Sequence, residues 1–360
     1  MIITLLATII VIGVLVFVHE LGHFLAAKRA GVKVEIFSFG FGPKLLGMTF
    51  GETEYRISLI PLGGYVKLYG EHPEILPSVA EPERAFAFKS PFQKTFIVIA
   101  GPLANFIFAF IAFFFVFSIM GKTYTPPVVG EVLKDSPAEK AGLMRGDRIL
   151  ELNGKKIKAF EDLLLEMRKD ENLREIELKV KRGEEILTFR INPMLMEGSN
   201  IFGKKTQIPV IGIRATSELV HEKVDPLTAL YLSAKKVYDF TALTFLAIYK
   251  LISGELPFST LGGPITIGKF AGDSARLGFF AFVSFMALLS INLGVLNLLP
   301  LPMLDGGHIV IFAIEAVRRK PLSLKTQELI FKIGLIIIIV LSIAVFYNDI
   351  LRLVKGWKLQ

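Results

Sequence analysis

Four long apolar runs punctuate this chain, and the polar stretches between them set its organisation. Residues 2–27 are apolar almost throughout. At about 1.5 Å per helical residue that run is long enough to cross the roughly 30 Å hydrocarbon core of a bilayer. Comparable runs occupy about 96–120, 279–299 and 330–347. The pattern predicts a polytopic α-helical membrane protein with about four transmembrane helices. Four regions follow: an N-terminal membrane half over 1–121, an insert over 122–195, a connecting region over 196–277 and a C-terminal membrane half over 278–360.

The first loop, 31–95, is not uniformly polar. Phe37-Ser-Phe-Gly40-Phe-Gly42-Pro43 is too apolar for an ordinary loop, Thr53–Ile60 partly alternates, and Gly63-Gly64-Tyr65-Val66-Lys67-Leu68 reads as a further short strand. With Gly51 at a turn, this predicts a β-hairpin or small sheet over about 40–69. It either dips toward the bilayer beside the first helix or covers that helix's mouth. At membrane depth an open sheet edge is tolerated only against protein or a water cavity, and such an edge could pair with an extended peptide. Residues 71–90 are polar, with Pro73, Pro77 and Pro82, and read as irregular. In the second span, Gly101 and Ala104 permit close helix approach, and Asn105 reads as a hydrogen-bonding packing residue.

Residues 122–195 change character, with dense charge and apolar positions at strand spacing. Asn153-Gly154 marks a hairpin turn. Residues 161–168 suit a helix, and 175–180 and 185–191 suit strands, which makes a small α+β domain. Farther on, 208–213 suits a strand. Residues 226–251 have helical periodicity with Tyr and Lys distributed around it, which favours an amphipathic interfacial helix over a further span. Gly262-Gly263-Pro264 breaks the chain before the third run.

Composition narrows the chemistry. Of 360 residues 52% are hydrophobic, mean hydropathy is +0.55, and there is no cysteine, so any metal must use His, Asp or Glu. The net charge of +8 lies in loops without a basic stripe, which argues against nucleic acid as a partner. No Lys or Arg precedes the first run, and Lys28, Arg29 and Lys33 follow it. The positive-inside rule therefore puts the N-terminus outside and residue 28 onward in the cytoplasm. The run lacks a basic n-region and a small-residue cleavage site, and reads as a retained span.

The chemistry concentrates in His19-Glu20-Leu-Gly-His23, near the end of the first run. On a helix, His19 and His23 share one face, a turn apart, which suits two neutral imidazoles on one Zn²⁺ with Glu20 as general base. Ionisable groups inside a span are expensive, and three of them together point to function. A catalytic zinc needs a third protein ligand. Asn297-Leu-Leu-Pro300-Leu-Pro302-Met-Leu304-Asp305 ends the third run on irregular, proline-broken backbone. If the first and third spans run in the same direction, Asp305 lies at the depth of the two histidines. It is the favoured third ligand. His308 competes for that place, and the alternative role for Asp305 is capping a helix.

Together, His19-Glu20-x-x-His23 and Asn297-x-x-Pro300-x-Pro302-x-Leu304-Asp305-Gly306 resemble the paired signature of the site-2 proteases. These are intramembrane zinc metalloproteases, and the resemblance is greatest to the bacterial regulator of sigma-E protease group. Gly40-Phe-Gly42-Pro43, Gly101-Pro102-x-x-Asn105 and a PDZ-like insert support it. The resemblance implies one Zn²⁺ per chain on His19, His23 and Asp305, and proton transfer by Glu20. It implies a substrate-positioning or oxyanion role for Asn297. Gly40, Gly42, Pro43, Gly64 and Tyr65 are candidate substrate-binding residues, on the hypothesis that the hairpin holds an unwound substrate as an added strand. The expected partners are single-span membrane proteins, a peptide or protein ligand in a PDZ groove, and the lipid of a bacterial cytoplasmic membrane. The expected active site lies near the cytoplasmic side, with the insert outside. The best-known members of the group carry two tandem PDZ domains; only one copy is evident here. A membrane-anchored PDZ scaffold without activity is the competing reading.

Overall fold

The computed structural model describes residues 1–71, 80–168, 174–199 and 205–355. It divides into two compact units, one holding 1–116, 230–251 and 257–359, the other 117–229 and 252–256.

The first unit begins with helix α1 (Ile2–Arg29), which ends in Lys28 and Arg29, cations suited to the negative end of a helix dipole. Strands β1 (Val34–Phe50) and β2 (Thr53–Leu68) follow, joined at Gly51. The sheet thus starts six residues earlier than the expected 40–69. Phe37 lies opposite both Tyr55 and Val66, and Ile57 opposite both Phe39 and Leu46. The hairpin therefore folds over itself, in the order 64–68, 34–39, 53–57, 46–50. Gly40 and Gly42 have φ of +95° and +86°, which side-chain-bearing residues rarely adopt, and at Gly40 a Cβ would meet the Ile60 and Ser58 carbonyls at 2.8 and 2.9 Å. The sheet packs along α1: Phe17 and Phe24 sit edge-on or tilted against Phe37, with centroids 5.6 and 5.1 Å apart. Of the stretch expected to be irregular, residues 72–79, which include Pro73 and Pro77, lie outside the described residues. Residues 82–84 and 86–88 are single 3₁₀ turns.

Helix α2 (Pro91–Met120) starts five residues before the expected span and carries Pro102 within it. It runs antiparallel to α1, because His23 meets Ile97 while His19 meets Asn105.

The second unit contains β3 (Lys122–Tyr124), β4 (Val129–Val132), α3 (Pro137–Lys140), β5 (Arg148–Leu152), β6 (Lys155–Lys156) and α4 (Phe160–Met167). It continues with β7 (Ile176–Arg182), β8 (Glu185–Ile191), β9 (Met194–Ser199), β10 (Lys205–Val210), β11 (Ile213–Ala215) and β12 (Val220–Glu222). Alternation in β7 buries Ile176, Leu178 and Val180 against Leu163 and Met167 of α4. The four-stranded sheet has the order β6-β5-β7-β8. This unit extends past the expected boundary at 195, because β11 pairs with β4 and β12 with β3. Those returning strands are too short to stand out in the sequence. The strand expected over 208–213 is divided by Gly212 (φ +81°) between β10 and β11.

Helix α5 (Pro226–Ile252) is followed by α6 (Pro264–Leu277), α7 (Phe279–Asn297), α8 (Asp305–Arg318) and α9 (Leu324–Val354). Helices α1, α2, α7 and α9 are long and apolar enough to cross a membrane; α5 does not meet that description. Helix α6 begins at Pro264, at the Gly262-Gly263-Pro264 stretch expected only to break the chain. It packs on α1, where Thr4 and Thr8 face Gly272 and Gly268. The fourth apolar helix runs well beyond 330–347 at both ends, and the last residues of the expected basic tail, 356–360, lie outside the described residues.

Candidate metal centre

Three side chains from distant parts of the chain converge at one point. His19 is buried on α1, with His23 one turn later. Asp305 is the first residue of α8, not part of an irregular segment as its prolines suggested: Leu304 is the N-cap, and the two prolines end α7 before a new helix starts. A carboxylate in the first helical turn is favoured by the helix dipole.

The distances form a small triangle. His19 Nε2 lies 3.1 Å from His23 Nε2 and 3.2 Å from Asp305 Oδ2, and His23 Nε2 lies 3.5 Å from Asp305 Oδ1. Zinc bonds of about 2.0–2.1 Å to nitrogen and oxygen at tetrahedral angles put neighbouring ligand atoms roughly 3.3 Å apart. The triangle therefore has the dimensions of one face of a zinc tetrahedron. Although close to His19 Nε2, Asp305 Oδ2 is buried and makes no hydrogen bond. A cation would supply its missing partner. The His23 Nδ1–H can donate to the Ile97 carbonyl at 2.9 Å, which leaves the Nε2 lone pair directed at the triangle. Among the described residues this is the one group of three or more such side chains placed to hold a metal ion. His308, the competing ligand, is not part of it; its ring packs against Phe312 and Phe331.

The surroundings are built to admit these rings. A Cβ on Gly101 of α2 would lie 2.3 Å from His23 Nε2 and 2.9 Å from His19 Cε1, so only glycine leaves both imidazoles their space. Asn297, the last residue of α7, places Nδ2 3.4 Å from His19 Nε2. Gly64 lies beside Glu20: a Cβ there would be 3.6 Å from Glu20 Cγ. The segment 64–68 pairs with β1 on one side only, so a sheet edge passes next to the glutamate. Gly40, Gly42 and Pro43 sit where the hairpin folds over, and Tyr65 stacks on Phe41 with centroids 6.4 Å apart. No described contact brings these four to the triangle. Asn105 was read as packing glue, yet it is fully buried with Nδ2 3.1 Å from His19 Nδ1. Its spacing of four from Gly101 puts both on one helix face, a relation that gains meaning only once His19 is placed opposite.

The model of peptidase family M50 matches residues 7–341. This chain belongs to peptidase family M50. The resemblance to site-2 proteases is borne out, and among the family's members the chain is 40% identical over 355 residues to a Rickettsia conorii protein named as a zinc metalloprotease, covering 97% of this chain and 99% of the relative. A Campylobacter jejuni protein named in the same way is 38% identical, covering 97% and 94%. The regulator of sigma E protease of Haemophilus influenzae is 32% identical over 442 aligned positions, covering 96% and 98%. That alignment is longer than this 360-residue chain, so this relative carries additional residues. Of solved structures, the PDZ domain of an SdrC-like protein from Listeria innocua is similar to 27% of this chain and 99% of its own, at 26% identity and a TM-score of 0.21. As an M50 peptidase the protein is a zinc metalloprotease, and its apolar helices make it an integral membrane one.

Proposed function

We propose that this protein is an intramembrane endopeptidase that cuts the transmembrane segments of single-span membrane proteins, as in regulated intramembrane proteolysis of an anti-sigma factor or a remnant signal peptide. His19, His23 and Asp305 would hold one Zn²⁺. The observation that carries the reading is the zinc-sized triangle of donor atoms formed by residues of α1 and the start of α8, beside helices apolar enough to span a bilayer.

When bound, zinc supplies a Lewis acid and lowers the pKa of the attacking water. Glu20, next to His19 on α1, takes the proton from that water and delivers it to the departing amide nitrogen. The Asn297 Nδ2 amide donates to the oxygen on which negative charge develops. His19 and His23 would each offer a ring-nitrogen lone pair to that ion. A peptide bond inside a helix is shielded by the helix's own hydrogen bonds and must be unwound first. The open edge at 64–68 offers replacement backbone partners to the unwound stretch, which it receives as an added strand passing Glu20. Gly64 keeps that passage free of a side chain.

The cation pattern after α1 supports a cytoplasmic placement for the active-site end of that helix, in a bacterial cytoplasmic membrane. It follows that the N-terminus and the 117–229 unit lie outside. There, as a PDZ-type module, that unit would bind a peptide or protein segment.

The test is cleavage of a panel of single-span peptides by purified protein in detergent or vesicles, with Glu20→Gln as control. Wild type should cut within the apolar segment, and the variant should retain zinc while losing cleavage by a factor of about 10² or more. Undiminished cleavage by Glu20→Gln would refute the assignment.

A further inference from the structure

We infer that Asn105 is a positioning residue for the metal site: its side-chain oxygen accepts the Nδ1–H of His19 and thereby fixes the tautomer that presents His19 Nε2 to zinc. The inference rests on the ligand set proposed above and adds a residue to its support.

His19 has only two ring nitrogens, and both are accounted for. Nε2 forms two of the triangle's edges, to His23 and Asp305. Nδ1 faces the Asn105 amide at 3.1 Å. A neutral imidazole carries one N–H and one lone pair, so Nε2 can face a cation only when Nδ1 holds the proton. The group opposite Nδ1 must then be an acceptor. Asn105 can provide one. Its Oδ1 is buried without any hydrogen-bond partner, whereas its Nδ2 is the end lying against the ring. A half-turn about the last side-chain torsion exchanges the two ends with little change in shape. With Nδ2 toward the ring, Nδ1 is the acceptor and Nε2 carries a hydrogen that points into the triangle. With Oδ1 toward the ring, the hydrogen moves to Nδ1 and Nε2 is free. His23 shows the parallel arrangement, its Nδ1 facing the Ile97 carbonyl at 2.9 Å. One histidine thus takes its outer acceptor from α2 backbone and the other from an α2 side chain.

Asn105 is also held firmly. It has no exposed surface, and its backbone carbonyl accepts from Ser290 Oγ of α7 at 2.9 Å. An amide locked in that position by two neighbouring helices serves to orient a ring. A packing role alone would be met equally well by leucine, which has nearly the same shape.

The experiment compares wild type, Asn105→Leu and Asn105→Asp by zinc titration against a competing chelator, with circular dichroism and thermal unfolding of each as checks on folding. Asn105→Leu should bind zinc about 10- to 100-fold more weakly with its helices intact, and Asn105→Asp, which can only accept, should restore the affinity. Independently, ¹⁵N-histidine spectra of the zinc-loaded wild type should show His19 protonated at Nδ1 and metallated at Nε2. Wild-type affinity in Asn105→Leu, equal loss in both variants, or His19 bound through Nδ1 would each overturn the inference while leaving the metalloprotease reading in place. Absence of tight zinc binding by wild type would overturn both.

Discussion

Gly101→Ala adds one methyl group against both histidines of the candidate metal site. The new Cβ would lie 2.3 Å from His23 Nε2, 2.5 Å from His23 Cε1 and 2.9 Å from His19 Cε1. Ordinary contact begins at 3.4 Å, so the His23 ring must retreat by about 1 Å. Zinc–ligand distances tolerate only about ±0.2 Å, so a ring displaced that far leaves the coordination sphere. Alternatively α1 and α2 must separate, but at Gly22 the two helices already touch so closely that a Cβ would meet the Ala100 carbonyl oxygen at 2.1 Å. The helix itself has little to lose. Alanine is about 1 kcal/mol better than glycine inside a helix, partly offset by the restriction that Pro102 places on the preceding residue. The expectation is a selective defect: zinc affinity falls by more than the 10- to 100-fold typical of an outer-shell change, while thermal unfolding of the metal-free protein moves little. Chelator competition gives the first quantity and circular dichroism melting in detergent the second. Zinc binding at wild-type strength would show that the glycine does not back the two rings as described, and the geometry of the site would have to be withdrawn.

Asp305→Ala removes a corner of the triangle and should abolish stoichiometric zinc in metal analysis while His308 fails to compensate; retained zinc would dismiss Asp305 as a ligand. Asp147 is buried in the 117–229 unit and accepts from Arg182 Nε at 2.7 Å, Arg182 Nη2 at 2.8 Å and the Met144 amide at 2.9 Å. Burial works to raise its pKa, but Arg182 and the Met144 amide together hold it below the ordinary value. A depressed folded pKa gives stability that is complete above about pH 4 and is lost as pH falls through the lower folded value. Asp147→Ala should accordingly cost that unit about 3 kcal/mol at neutral pH and flatten its acid response, as read by melting at pH 7 and below pH 4. The chain has no cysteine, so Lys223→Cys and Ser253→Cys can be labelled singly with an impermeant thiol reagent in vesicles. Both positions, which flank α5, should react from the same side, and reaction from opposite sides would make α5 a crossing.

The candidate metal site was legible because its spacing is local and chemically narrow. His19 and His23 define a helical pair by themselves, and Asp305 follows once the first and third apolar runs are taken as parallel. What the sequence concealed depended on partners far away along the chain. Asn105 looks like any polar residue in an apolar helix until His19 is placed opposite it. Proline at 300 and 302 signals a broken helix but not the immediate restart of a new one at Asp305. Helix α6 was hidden because Gly262-Gly263-Pro264 reads as a breaker; the helix starts there, and its Gly268 and Gly272 make room for Thr8 and Thr4. The 117–229 unit was cut short at 195 because β11 and β12 are three residues each and are held by β4 and β3, about 80 to 100 positions earlier.

The contacts within the membrane unit also bear on whether α5 crosses. Helix α2 runs antiparallel to α1, so Met120 lies toward the end where α1 begins. Arg276 and Gly272 of α6 reach Thr4, at that same end of α1. The start of α6 is tied to α9: Asp349, near the end of α9, accepts from the backbone amides of Gly263, Ile265 and Thr266 at 3.0, 2.9 and 3.2 Å. Phe258 and Ser259 are held by Asn348 and Arg352 of the same terminal turns. On the proposed four-span reading the chain leaves the membrane at residue 120 and is on that side again at α6. Between those points it can cross only an even number of times, and the single long helix available, α5, cannot cross twice. Its Phe240 and Thr244 pack against Phe113 of α2 and Asn292 of α7, so on this reading it lies beside those helices. That parity is also what allows α7 to run parallel to α1. A crossing by α5 would reverse α7, carry Asp305 to the opposite face and separate it from His19 and His23 by the thickness of the bilayer.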